Sequence, residues 1–229
     1  VDSKPVTSNQ TGPHERLDAV VLKHLSHNWL RPIPNWVEQL ADNCLQQHAG
    51  APWILDSGCG TGLSSLHLAR AFPDHWVLGV DQSAHRLNRV STAQPDNLRY
   101  LRADVQDFWR ALQVRQIRLA RHYLLYPNPW PKSQHLMRRW HAHPVWPALL
   151  ALGGVLELRS NWPLYVQEFG QALALSTGAT VHVDSLSNTD MLQQPLTLFE
   201  KKYAASDHAI VRLRCDLNQL MPPKTTQPG

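Results

Sequence analysis

The sequence predicts a single α/β domain built on a mostly parallel sheet with helices on both faces. Three observations carry that expectation. From residue 53 to residue 215, short apolar runs alternate with stretches of helical apolar spacing. The first run passes straight into a glycine-rich turn. Successive runs end at or next to a polar residue, namely Asp56, Asp81, Asp104 and Asn128. Strand–helix alternation argues for a parallel sheet covered on both sides. In such sheets ligands bind outside the carboxyl ends of the strands, so these four residues are expected to share one site.

The elements follow in order. Residues 15–29 and 34–48 place Leu17, Val20, Val21 and Leu25, then Val37, Leu40 and Leu45, on helical faces. Pro32 and Pro34 separate the two helices. Trp53–Leu55 is the first strand, and helical spacing resumes at Leu63, Leu66, Ala69 and Phe72 until Pro73. Trp76–Val80 is the second strand. Ser83 suits the N-cap of a helix reaching about Val90. Leu98–Leu101 is the third strand, followed by a helix through Phe108 and Leu112. Residues 118–126 form the fourth strand, and a proline-rich loop leads to an apolar helix near 144–152. Gly153-Gly154 turns the chain into Val155–Leu158. A helix over 163–176 precedes strands at 180–184 and 208–215. Residues 1–14 read as a flexible arm, 15–215 as one domain and 216–229 as a tail.

Composition bounds the function. With 229 residues and 43% hydrophobic content the chain supports one sizeable core. Apolar runs stay near ten residues where a membrane span needs about 20, and no signal-peptide core is visible at the start. Three widely spaced cysteines, Cys44, Cys59 and Cys215, read as reduced thiols in a cytoplasmic protein. A net charge of +4 permits an anionic partner such as RNA without demanding one.

The glycine turn reads Asp56-Ser57-Gly58-Cys59-Gly60-Thr61-Gly62. Its G-x-G-x-G spacing is neither the dinucleotide fingerprint nor a P-loop. An acid two positions before the first glycine suits a ligand with a cationic amino group. Asp81 falls 23 residues after Gly58, near the ~20 expected for a ribose-binding acid, and a carboxylate can accept from two hydroxyls. Asp104 could accept from an adenine amino group. Each acid taken alone reads as a helix cap or a solvated loop acid; three at successive strand ends, with the glycines, read as a cofactor site. The turn resembles the cofactor loop of S-adenosylmethionine-dependent methyltransferases with a Rossmann-like sheet.

After the fourth strand comes Tyr126-Pro127-Asn128-Pro129-Trp130-Pro131-Lys132, then Ser133 to Arg139. Three prolines in five residues stiffen a site. Lys132, His135, Arg138 and Arg139 can meet phosphates, with Trp130 and Trp140 available for stacking. The segment resembles the F-P-D-P-W-P-K signature of the bacterial tRNA (guanine-N7-)-methyltransferases. Ser160 to Tyr165 is similar to that family's T-D-W-x-x-Y, and Pro195 to Glu200 to its P-x-T-x-F-E.

The resemblance covers about residues 50–215 and implies a class I methyltransferase with a mostly parallel seven-stranded sheet. It implies S-adenosylmethionine as cofactor, held by Asp56, Gly58, Gly60, Gly62, Asp81, Asp104 and Asn128, with Asn128 also at the catalytic position. It implies tRNA as substrate, specifically a variable-loop guanine, met by Lys132, Asn161, Thr197 and Glu200 and by His135, Arg138 and Arg139. Asn128 and Asn161 stand where the family has aspartates, and Met137 and Ser133-Gln134 replace basic residues. Guanine N7 already has a lone pair, so its methylation asks for positioning rather than a base. Three readings remain open: this enzyme, a non-catalytic RNA- or protein-binding homologue, or a same-fold methyltransferase with another base or a small-molecule substrate. Asn128-Pro129-Trp130 also partly matches the motif of adenine amino methyltransferases. His141 and His143 are expected to be solvated rather than metal-bound, and Cys59 to be a packing residue. No membrane or DNA partner is expected, and monomer and homodimer stay open.

Overall fold

The computed structural model describes residues 3–47, 50–90 and 93–219. Among them, helices α1 (Leu17–Ser26) and α2 (Asn35–Gln47) precede β1 (Trp53–Ser57), α3 (Leu63–Ala71), β2 (Trp76–Asp81), α4 (Ala84–Leu87), β3 (Leu98–Arg102) and α5 (Val105–Val114). Then come β4 (Arg121–Leu125), α6 (Trp146–Ala151), β5 (Val155–Ser160), α7 (Pro163–Thr177), β6 (His182–Leu186), α8 (Asn188–Gln193), α9 (Leu198–Ala205) and β7 (Ile210–Asp216). The strands form one seven-stranded sheet in the order β3-β2-β1-β4-β5-β7-β6. The first five are parallel, while β7 runs antiparallel to both β5 and β6. This is the mostly parallel α/β sheet expected from the alternation.

The physical reason lies in the apolar runs. All five residues of β1 are buried, as a central strand with helices on both faces requires. One face packs against α1, α2, α5, α6 and α7 through Leu17, Val37, Trp109, Trp146 and Phe169. The other packs Ile54, Val77 and Tyr123 against Leu68 and Ala69 of α3. The order reverses between β1 and β4, and the carboxyl ends there open beside the glycine turn.

Two regions differ from the sequence expectation. Ser187 and Thr197 cap α8 and α9 by accepting from Asp190 N and Glu200 N, helices too short and polar to show a periodic apolar face. The amino-terminal arm is tied down in the residues described. Ser3 N donates to Ser206 Oγ at 2.9 Å, Ser8 Oγ to the Pro131 carbonyl at 2.6 Å, and His14 N to Glu168 Oε1 at 2.9 Å. At the other end Leu217 is buried and its N–H reaches the Gly154 carbonyl. The rest of the expected tail, from residue 220 on, lies outside the described residues, as do residues 1 and 2 of the arm. No described helix is long and apolar enough to cross a membrane, and the three cysteines are free and buried.

Candidate active site

β1 ends at Ser57, and the chain then turns through Gly58, Gly60 and Gly62 at φ values of 79°, 60° and 78°. That left-handed backbone favours glycine. At Gly62 a side chain is excluded twice over, because a Cβ would lie 2.4 Å from the Tyr100 ring. At Gly58 a Cβ would meet nothing within 4 Å, so the missing side chain leaves room for something else. Asp56 supports this turn from below. Its Oδ2 accepts from Ser64 Oγ and Ser65 Oγ, each at 2.6 Å, which fixes the start of α3. Burial pushes its carboxyl up to about 6 against the pull of the two serines. Asp56 therefore holds the loop in place and does not border the cavity in front of it.

That cavity, about 360 Å³, is bounded by Ser57, Gly58, Asp81, Asp104, Asn128 and Trp140, among others. Its size falls in the range of about 300–1,000 Å³ usual for small-molecule sites. Asp81 ends β2 and is only 2% exposed. Its Oδ1 accepts from Ser83 N at 2.8 Å, and its Oδ2 from Gly60 N at 3.0 Å and Arg86 Nη1 at 3.2 Å. The Arg86 side chain is 55% exposed, so this partner can leave. Asp104 caps α5, accepting from Gln106 N and Gln106 Nε2, and still borders the cavity. Cap and ligand wall are thus compatible at this position.

The proline-rich loop forms the opposite wall. Tyr126 and Trp130 both take left-handed backbone, at φ 55° and 45°, a cost of about 1–3 kcal/mol each for non-glycine residues. Asn128 is exposed and its Oδ1 accepts from Trp130 N at 3.3 Å, an Asx turn that an aspartate would close equally well. The Arg138 guanidinium lies 4.6 Å over the Trp130 ring, and His135 meets the ring edge-on. Lys132 and Arg138 are exposed and His135 half-buried.

Arg139, expected at an RNA surface, is fully buried. It pairs with Glu168 at 2.5 Å and donates to Gln10 Oε1 and to the Trp130 carbonyl. A guanidinium with those partners has no face left for a phosphate, so it is a strut linking the loop, α7 and the amino-terminal segment. His141, expected to be solvated, is also fully buried and shares Glu168 at 3.1 Å. His143 borders the cavity, and burial pushes its ring down to about 4. No cluster able to hold a metal occurs among the described residues. Cys59 is 8% exposed, and burial first of all raises its thiol far above the ordinary range, as for a packing residue.

The remaining expected substrate contacts sit outside the cavity wall. Asn161 Nδ2 faces His208 Nδ1 at 3.1 Å, and His208 Nε2 faces the Ser3 carbonyl at 2.9 Å. Glu200 is fully buried, bonded to Arg159 at 2.8 Å and accepting from Leu196 N at 2.6 Å. It is a structural anion, not a surface one. Thr197 Oγ1 accepts from Glu200 N at 3.0 Å, so the T-x-F-E motif builds a helix start. Thr197→Ala is accordingly expected to lower stability by about 0.5–2 kcal/mol, read from urea denaturation. An unchanged midpoint would return Thr197 to a ligand-only role.

Sequence reasoning passed over Ser57 and Arg86 in this wall, gave Trp140 only an RNA-stacking role and expected His143 to be solvated. Only the strand end before the first glycine could have pointed to Ser57; the others come from segments that approach in space alone.

Known proteins match this chain as follows. The family described as "Putative methyltransferase" matches residues 50–213. A tRNA (guanine-N(7)-)-methyltransferase of Pseudomonas savastanoi pv. phaseolicola is 28% identical over 173 residues, covering 72% of this chain and 70% of its own. The protein so named from Pseudomonas entomophila is 26% identical over 232 residues, covering 92% and 95%. The crystal structure of the 16S rRNA methyltransferase KamB is 17% identical with a TM-score of 0.60, over 79% of this chain and 94% of its own. That last likeness is one of fold.

Proposed function

This chain belongs to the methyltransferase family matched over residues 50–213, and from that premise we propose that it methylates N7 of a variable-loop guanine in tRNA with S-adenosylmethionine. One observation carries the reading: the cavity joins the glycine turn, Asp81 and Asp104 on one side to the Pro-Asn-Pro-Trp loop on the other. The first wall suits the cofactor. Gly58 leaves open space for it, Asp81 offers acceptors to ribose hydroxyls once Arg86 moves away, and Asp104 offers one to the adenine amino group. The cofactor supplies an electrophilic methyl group on a sulfonium.

The chain's residues do the rest by positioning. Asn128, fixed by its turn to Trp130 N, presents its amide at the mouth where the guanine edge arrives. Buried Arg139 and Glu168 hold that loop in place from behind. Trp130 with Arg138 above it forms an exposed cationic face for RNA. The work belongs in the cytoplasm, where tRNA is modified. Incubation with labelled cofactor and bulk tRNA, followed by nucleoside analysis, should yield N7-methylguanosine. Label in another nucleoside, or in none, would overturn the reading.

The exposed cations make a separate prediction. Lys132 and Arg138 face solvent, Arg138 over the Trp130 ring, while half-buried His135 meets the ring edge. Arg138→Ala should weaken tRNA binding at low salt and reduce the slope of log affinity against log salt by roughly 0.7–0.9. Filter binding across a salt series reads this; an unchanged slope would remove Arg138 from the interface.

A further inference from the structure

Beneath the glycine turn lies a polar cluster that no step above uses. Ser57, at the cavity wall and 7% exposed, places Oγ 2.9 Å from Trp109 Nε1 and 2.9 Å from His122 Nε2. The indole N–H only donates, so one lone pair of Ser57 is taken. His122 is fully buried, and burial pushes its ring down to about 3, so it is neutral and carries one proton. Two arrangements are then possible. With the proton on Nδ1, Ser57 donates to Nε2, and the Nδ1–H is stranded, because that atom is buried with no partner. With the proton on Nε2, both rings donate to Ser57 and only a lone pair is left unmatched at Nδ1. Either way Nδ1 has no partner and bears a desolvation cost; unmet buried N–H groups are the rarer of the two, which favours the second arrangement.

Ser57 then has both lone pairs filled and its own proton unused, on a residue that borders the cavity. We infer that Ser57 is a hydrogen-bond donor of the cofactor site and that its O–H serves the carboxylate of the cofactor's amino-acid arm. This rests on the cofactor reading above. The wall carries Asp81 and Asp104 together with the cations Arg86 and Arg138, and a neutral hydroxyl adds a donor for the carboxylate without changing that balance of charge. Trp109 and His122 are positioning residues that aim the hydroxyl by filling its lone pairs.

The test uses two cofactor products, S-adenosylhomocysteine and 5′-methylthioadenosine, the second lacking the amino-acid arm. Calorimetry on the wild type and Ser57→Ala should show about tenfold weaker binding of the first and unchanged binding of the second. Ser57→Thr, which keeps a hydroxyl, should recover most of the loss. Nitrogen NMR of the wild type, with the His122 signal identified through His122→Asn, should show the proton on Nε2. This measurement stands even where Ser57→Ala does not fold. A proton on Nδ1, an unchanged affinity for S-adenosylhomocysteine, or an equal loss for both ligands would overturn the inference. Absence of S-adenosylhomocysteine binding in the wild type would instead show that the cofactor reading itself had failed, and the inference with it.

Discussion

Arg139→Ala is expected to lower folding stability by about 3–5 kcal/mol, the usual cost of removing one partner from a buried ion pair. The substitution strands Glu168, which is fully buried, with only His141, Gln10 and the His14 N–H around it. It also frees the Trp130 carbonyl in a loop whose backbone is already left-handed at Trp130. The neighbouring Arg138→Ala touches only an exposed ring face and should stay within about 0.5 kcal/mol. Urea denaturation of both variants checks the contrast. Equal stability of the two, with a lost salt slope in Arg139→Ala, would restore Arg139 to the RNA surface. The pair also sets an acid limit. Burial alone would raise the Glu168 carboxyl, but hydrogen bonds and charge from His141 and Arg139 outweigh it and hold it at about 2, against an ordinary 4.5. A depressed acid stabilises fully above its unfolded value, so this contribution is complete above about pH 4.5 and disappears as pH falls through about 2.

The sheet was legible because strands buried on both faces are continuous apolar runs, and because each parallel strand needs a helix before the next. The same logic located Asp81 and Asp104, since strand ends in such a fold converge. Spacing could not separate Arg138 from Arg139. Adjacent residues in a turn point different ways, and the direction was settled by Glu168, a residue 29 positions further on. His141 was misjudged for the same reason. Its partner lies on α7, outside any local motif. The amino-terminal segment carries no periodic apolar signal, yet Gln10 and His14 reach Glu168 through polar bonds that composition does not reveal. Motif resemblance likewise reports position rather than role: Glu200 sits where the T-x-F-E pattern puts it, but its carboxylate is spent on Arg159 and the Leu196 N–H.

Asp81→Ala is expected to weaken S-adenosylhomocysteine binding by about a hundredfold or more. The carboxylate is nearly inaccessible except on the cavity side, and two backbone N–H groups, Gly60 and Ser83, fix its orientation. Ribose hydroxyls would take the place of Arg86, whose half-exposed pair with Asp81 is worth only about 0–1 kcal/mol, so displacing it costs little. Each hydroxyl bond to a carboxylate contributes about 1.5–3 kcal/mol, and two of them at the low end already amount to a factor of about a hundred. Asp81→Asn grades the loss: it gives up one acceptor oxygen and, with it, one of the two backbone anchors, since Ser83 N and Gly60 N bond different oxygens. It keeps one acceptor, which should serve a single hydroxyl, and its loss should fall between wild type and Asp81→Ala. Calorimetry reads the affinities, and thermal denaturation without ligand shows whether the Gly60 and Ser83 contacts also carry stability. Unchanged affinity in Asp81→Ala would remove the ribose role. A loss as large in Asp81→Asn as in Asp81→Ala, with unchanged thermal stability, would show that the negative charge, rather than the number of acceptors, governs binding at this strand end.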